Sequence, residues 1–165
     1  MSRDRQEPID YIARTRAQYD ALGHPSYRWV ESEEPSAWAP LQKSLSESRL
    51  ALVASGGVYQ AGQIAFHHRD DTSLRAIESD VAASELRTSH FAYDQTAARA
   101  DPNVVFPIEP LRRSVESGRL GSLGRYAYTC MGGIYSSRRV REELAPEIAR
   151  RVREDEVDLV LLVPV

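Results

Sequence analysis

The chain has 165 residues, 42% of them apolar and 27% charged, which suits a globular domain long enough to bury a real core. A net charge of −3 gives no electrostatic pull toward nucleic acid or an acidic membrane surface, and no apolar run approaches the about 20 residues that span a bilayer. The one cysteine, Cys130, excludes an internal disulfide and a multi-cysteine metal site, and the polar start "MSRDRQEPIDYIARTR" has no secretory h-region, so a cytoplasmic, reducing location is expected.

From Pro8 to Leu22 the pattern is helical, with Ile9, Ile12, Tyr19 and Leu22 near one face, Gly23 as the residue after the cap and Pro25 as a stop. The following proline-rich stretch carries both tryptophans, Trp29 and Trp38. It reads as an extended arm whose large rings are buried somewhere, and residues 1–48 are taken together as helix plus arm packing on the domain. Residues 49–165 then read as the α/β domain. Leu50–Ala54 is a continuous apolar run, the pattern of a strand covered on both faces, and it runs into Ser55-Gly56-Gly57. "FHHRDD" is loop-like, and "LRAIESDVAASELRTSHFAYD" has a weak strand or helical turn at each end. A helix is predicted over roughly Glu109 to Ser117, a strand over Tyr126 to Met131, and a second Gly pair follows it. The longest helix is predicted from Ser137 to Asp155, with Val140, Leu144, Ile148 and Val152 as one core-facing stripe and a kink or break at Pro146. Val157–Val163 is the last strand, aliphatic apart from Asp158. Strand, crossover helix, strand is the parallel βαβ pattern, so the expected fold class is α/β, an open and mostly parallel sheet flanked by helices.

The turn Ser55-Gly56-Gly57 at the carboxyl end of a strand is a candidate ligand cradle, because free N–H groups there would hold an anion; G-x-G-x-x-G is absent. The glycines of "GRLGSLG" fit a helix stop and turn better than a nucleotide fingerprint. His67-His68 with Asp70-Asp71 reads as a surface loop, since adjacent histidines point apart. "SHFAYD" places His90, Tyr93 and Asp94 in one short stretch. Two readings compete there: His90 and Asp94 face one cavity and exchange a hydrogen bond as an acid–base or anion-orienting pair, or Asp94 only opens "DQTAA" as an N-cap. Local sequence favours the cap. Cys130, on an apolar strand with no cation beside it, reads as a buried structural thiol.

Taken in order, "YIARTRAQYDALGHPSYRWV", "WAPLQKSLSESRLALVASGGVY", "SHFAYD", "DPNVVFPIEPLRRSVESGRLGSL", "YTCMGGI" and "APEIARRVREDEVDLVLLVPV" resemble the selenoprotein B family of glycine, sarcosine and betaine reductases, with the related subunit of D-proline reductase. The resemblance implies a Rossmann-like sheet, incomplete at the C-terminus, in a reductase that cleaves a carbon–nitrogen or similar bond. No cofactor is expected in this chain. The resemblance places a selenocysteine or cysteine nucleophile directly after Val165 and a pyruvoyl group on a partner subunit. It implies Ser55, Gly56, Gly57 and Tyr93 as substrate-binding residues and His90 and Asp94 as catalytic ones. Expected partners are a small amine or betaine substrate, a thioredoxin-like reductant, the pyruvoyl-bearing subunit and further copies of the chain in a homo-oligomer. A selenocysteine codon read as a stop, a split subunit and a remnant are three ways for such a sequence to end at Val165, the first preferred. The isolated 165-residue chain is then expected to be inactive. The alternative is a non-catalytic scaffold subunit that pairs through its sheet edge. Two positions depart from the family pattern: Glu156 stands where glycine is common, and Cys130 where a bulky residue is.

Overall fold

A computed structural model describes residues 10–26, 30, 31 and 33–165, in two units that divide between Trp38 and Ala39. The first unit holds one helix, α1 (Tyr11–Ala21), capped by the Asp10 carboxylate, which accepts from the Ala13 N–H at 2.9 Å. It ends as expected, with Gly23 at φ +70°. Its apolar residues are not core: Tyr11, Ile12 and Leu22 are exposed. Trp38 is exposed as well, against the expectation of a buried ring, and Pro8, Ile9 and Trp29 lie outside the described residues.

The second unit is a mixed α/β structure around an open, mostly parallel sheet. Strand β1 (Arg49–Ala54) is its centre, buried from Leu50 onward, as a continuous apolar run requires. Next come β2 (Val58–Gln60), β3 (Arg75–Glu78) and β4 (Leu86–Thr88), then the short helix α2 (Thr96–Ala100) and the helix α3 (Ile108–Glu116). Strands β5 (Ser122–Leu123) and β6 (Tyr126–Thr129) lead to the helical run α4 (Ser137–Arg139), a π-turn (Val140–Leu144) and α5 (Ala145–Glu154), and the last strand is β7 (Leu159–Val163). On one side β1 pairs in parallel with β5 and then β6; on the other it pairs along most of its length with β7. Strand β3 joins β6 antiparallel, and β2 and β4 form a separate antiparallel pair. Leu52, Ile77, Phe106 and Ile108 are the largest wholly buried apolar side chains of the core cluster beside this sheet.

The break expected at Pro146 takes a specific form. The Ala145 N–H reaches five residues back to the Val140 carbonyl, and the next residue, Pro146, has no N–H to place. The change of hydrogen-bond step thus falls where one donor is missing. Of the predicted stripe only Leu144 is fully buried; Val140, Ile148 and Val152 are half-buried. The helix closes through Glu156 at φ +49°, so the left-handed cap forms here without the glycine that suits it. Strand β7 differs most from its sequence pattern: Val160, Leu161 and Leu162 are exposed, because β1 is its sole strand partner among the described residues. No helix among the described residues is long and apolar enough to cross a membrane.

Candidate functional site

Four segments converge at the carboxyl end of β1. They are the turn Ser55-Gly56-Gly57, the Ser89–Tyr93 segment after β4, the Cys130–Gly133 turn after β6 and the end of β7. Carboxyl ends of parallel strands are where open α/β sheets place ligands.

Hydrogen bonds fix how they meet. The Ser55 N–H donates to the Val163 carbonyl at 3.0 Å, and the Gly57 N–H donates to the Cys130 carbonyl at 3.0 Å. The Ser89 N–H donates to the Gly57 carbonyl at 2.9 Å, and the Tyr93 hydroxyl to the Gly56 carbonyl at 2.9 Å. The expected anion cradle is therefore not formed by Ser55 and Gly57: both amides are consumed in wiring the turn to its neighbours. Glycine is required for another reason. Gly57 sits at φ +65°, and a Cβ there would lie 2.2 Å from the Ser89 carbonyl oxygen.

His90 is the group left with unspent chemistry. Its side chain is 8% exposed and packs against the Tyr93 ring at 4.8 Å and the Phe91 ring at 5.7 Å. The Ala92 N–H donates to Nδ1 at 3.0 Å, and the Gln95 amide donates to the His90 carbonyl. Nε2 is buried with no hydrogen-bond partner. Burial holds the ring's pKa below the usual histidine value, so the ring is neutral. With Nδ1 acting as acceptor, the proton of the neutral ring sits on Nε2. The result is a buried N–H donor without an acceptor, which costs stability unless something fills the place. Nε2 faces Gly132: it lies 3.2 Å from the point a Gly132 Cβ would occupy, and the Val165 and Ser55 carbonyl oxygens lie 2.8 and 3.1 Å from that same point.

The structure thus brings together Ser55, Gly56, Gly57, His90 and Tyr93 from the sequence reading, and adds Gly132 and Val165. The signal for Gly132 was the second Gly pair following a strand. Asp94 is not part of the cluster's hydrogen bonding. It is exposed, and it accepts from the Thr96 N–H at 2.9 Å and the Thr96 hydroxyl at 2.7 Å, which lower its pKa. The hydrogen bond expected between His90 and Asp94 does not form, because the local turn to Thr96 takes the carboxylate. Cys130 is buried with its thiol pushed up to about 11 by desolvation, the state of an inert structural cysteine. His67 and His68 are exposed, with rings 4.4 Å apart, and no cluster of metal-ligating side chains occurs among the described residues.

Two open crevices of about 500 Å³ lie elsewhere, one lined by Glu78, Arg112 and Arg125 and one by Asp71, Arg139 and Glu143. Their central cations are already engaged. Arg112 donates to the Ser79 and Val81 carbonyls, and Arg139 to Glu143, Thr72 and the Asp70 carbonyl. The smaller cluster around His90 is the better candidate on chemistry.

No solved structure matches the chain. Among curated proteins, the D-proline reductase subunit gamma of Acetoanaerobium sticklandii is 34% identical over 140 residues, 85% of this chain and 58% of that protein. The glycine reductase complex component B subunit gamma of Symbiobacterium thermophilum is 33% identical over 130 residues, 74% of this chain and 30% of its own length. The betaine reductase complex component B subunit beta of Peptoclostridium acidaminophilum is 30% identical over 142 residues, 80% of this chain and 31% of its own length. The chain spans from about a third to somewhat over half of these relatives. The model of glycine/sarcosine/betaine reductase selenoprotein B matches residues 28–165, and the chain belongs to that family.

Proposed function

We propose that the chain is a component of a reductase complex acting on a small amino-acid or betaine-like substrate, with the cluster at the carboxyl end of β1 as its working site. The observation that carries this reading is the buried, unpartnered Nε2–H of His90 facing Gly132 and Val165. A donor held there needs an acceptor, and an anionic sulfur or selenium suits it. On this reading the selenocysteine or cysteine of the family directly follows Val165 and supplies the nucleophile, with a pyruvoyl-bearing subunit presenting the substrate. Two electrons from a thioredoxin-like dithiol, which becomes a disulfide, reduce the cleaved bond. His90 donates a hydrogen bond to the anion and orients it. Tyr93 and Gly57 hold the walls of the site, and Gly132 keeps the approach to Nε2 free of a side chain. A Rossmann-like sheet extended beyond β7 and a cytoplasmic location belong to the same reading.

The test is dithiol-dependent reduction of glycine, sarcosine, betaine and D-proline by the chain extended past Val165 with a cysteine and co-produced with its complex partners. His90→Asn keeps an acceptor near Nδ1 and removes the Nε2 donor, so it should lower turnover about a hundredfold, with His90→Gln recovering part. Full activity in His90→Asn removes His90 from the site, and no turnover on any of the four substrates sinks the reaction class. The coding frame after codon 165 is a cheap check: it should carry a cysteine or selenocysteine turn followed by an αβ pattern.

A second reading, a non-catalytic scaffold subunit, is favoured by the exposed aliphatic edge of β7 at Val160, Leu161 and Leu162. Size-exclusion chromatography discriminates: a clean folded monomer counts against edge pairing.

A further inference from the structure

Strand β7 runs out through Val163, Pro164 and Val165. The Val163 carbonyl faces β1, so the missing N–H of Pro164 falls on the open edge, where a proline is tolerated, and the next donor toward β1 is the Val165 N–H. Ser55 receives it. Its backbone N–H donates to the Val163 carbonyl at 3.0 Å, and its hydroxyl oxygen accepts from the Val165 N–H at 3.0 Å. One residue therefore grips the chain on both sides of Pro164. On its other flank the same turn is fixed to the β6 side by an antiparallel bridge between Gly56 and Met131. Glycine at 132 leaves room for this end of the chain, since a Cβ there would lie 2.8 Å from the Val165 carbonyl oxygen.

We propose that Ser55 is a positioning residue and not a substrate ligand: its hydroxyl accepts the β1-facing donor that follows Pro164, the Val165 N–H, and so holds the chain at Val165 beside the free Nε2 donor of His90. The inference rests on the reading of this cluster as the working site. The chemistry explains why a hydroxyl is needed. The partner is a backbone N–H, so the side chain must offer an acceptor. It must also be short, since it reaches the chain lying alongside its own strand end. Serine meets both demands, alanine is short but offers no acceptor, and threonine meets both with an added methyl group.

Amide exchange and imidazole nitrogen NMR on the 165-residue chain test this. In Ser55→Ala the Val165 amide should exchange about five- to tenfold faster, the net worth of one hydrogen bond. The amide of residue 55, which donates to Val163, should keep its protection. The His90 Nε2 resonance should move while the Nδ1 contact with Ala92 persists, and Ser55→Thr should restore both signals. Unchanged Val165 exchange overturns the inference, and so does an unmoved Nε2 resonance. An equal loss of protection along the whole of β1 also overturns it, since the hydroxyl would then only support the strand. The two failures separate: full turnover in His90→Asn sinks the reading of the site, whereas silent Val165 and His90 signals in Ser55→Ala sink this inference alone.

Discussion

The Tyr93 hydroxyl donates to the Gly56 carbonyl at 2.9 Å, tying the segment after β4 to the turn that ends β1. Burial raises the phenol's pKa, so it is a neutral donor at physiological pH. Tyr93→Phe leaves the ring that packs on His90 and strands a buried carbonyl. It should cost about 1–2 kcal/mol in urea unfolding. Equal stability of the variant would show that water replaces the hydroxyl and that the bond does not tie the two segments.

Gly57 and Gly118 separate two reasons for glycine. Both have positive φ, +65° and +71°, but a Cβ at Gly57 meets the Ser89 carbonyl at 2.2 Å while one at Gly118 meets nothing within 4 Å. Gly118→Ala should cost about 1 kcal/mol, the price of a left-handed alanine. Gly57→Ala should cost about 3 kcal/mol, because backbone must move as well. Matching losses in thermal unfolding would refute the close approach of Ser89.

Glu156 occupies the left-handed cap of α5 at φ +49°. The Asp155 and Glu156 N–H groups still close the helix, donating to the Arg151 and Arg153 carbonyls at 3.0 and 3.1 Å. Glu156→Gly relieves the conformation without touching those bonds. It should stabilise the chain by about 1 kcal/mol, read as a rise of a few degrees in Tm. A fall in Tm would mean that the carboxylate contributes more than the strain removes.

How much of this was legible beforehand depends on whether the controlling partner is near in sequence. Strands β1 and β6 were legible because a run of apolar residues marks a strand whatever surrounds it, and the stop at Gly23 because cap chemistry is local. Strand β3, by contrast, pairs antiparallel to β6, and β2 is a three-residue strand with no periodicity to read. The exposure of β7 was illegible, since burial is set by what packs on a strand and not by its composition. At the site, the Gly-Gly turn and "SHFAYD" did mark two of the converging segments. What failed was assigning partners. The amides of Ser55 and Gly57 are taken by Val163 and Cys130, far along the chain, while the Asp94 carboxylate is taken by Thr96, two residues away. The N-cap position of α2 is Gln95 and not Asp94, but a side-chain turn two residues long needs no tertiary structure and wins over a longer reach.

The neutral state of His90 makes a pH prediction whose sign follows from linkage. In the unfolded chain His90 titrates near the ordinary value of 6.5, whereas in the folded chain burial holds it lower. Above pH 6.5 both states are neutral and the histidine imposes no penalty. As the pH falls below 6.5 the unfolded state takes up a proton that the folded state refuses, so stability is lost progressively toward the folded pKa. Protonation in the fold would also displace the Ala92 N–H from Nδ1, which opposes it further. His90→Asn cannot titrate and keeps an acceptor for Ala92. The stability difference between wild type and His90→Asn should be constant from pH 7 to 8 and should shift against the wild type between pH 6.5 and 5.5, in urea titrations at matched ionic strength. Carboxylates common to both chains cancel in that difference. Parallel curves across the whole range would show that His90 protonates as freely in the fold as outside it, and that its Nε2 is not the sheltered donor that the site requires.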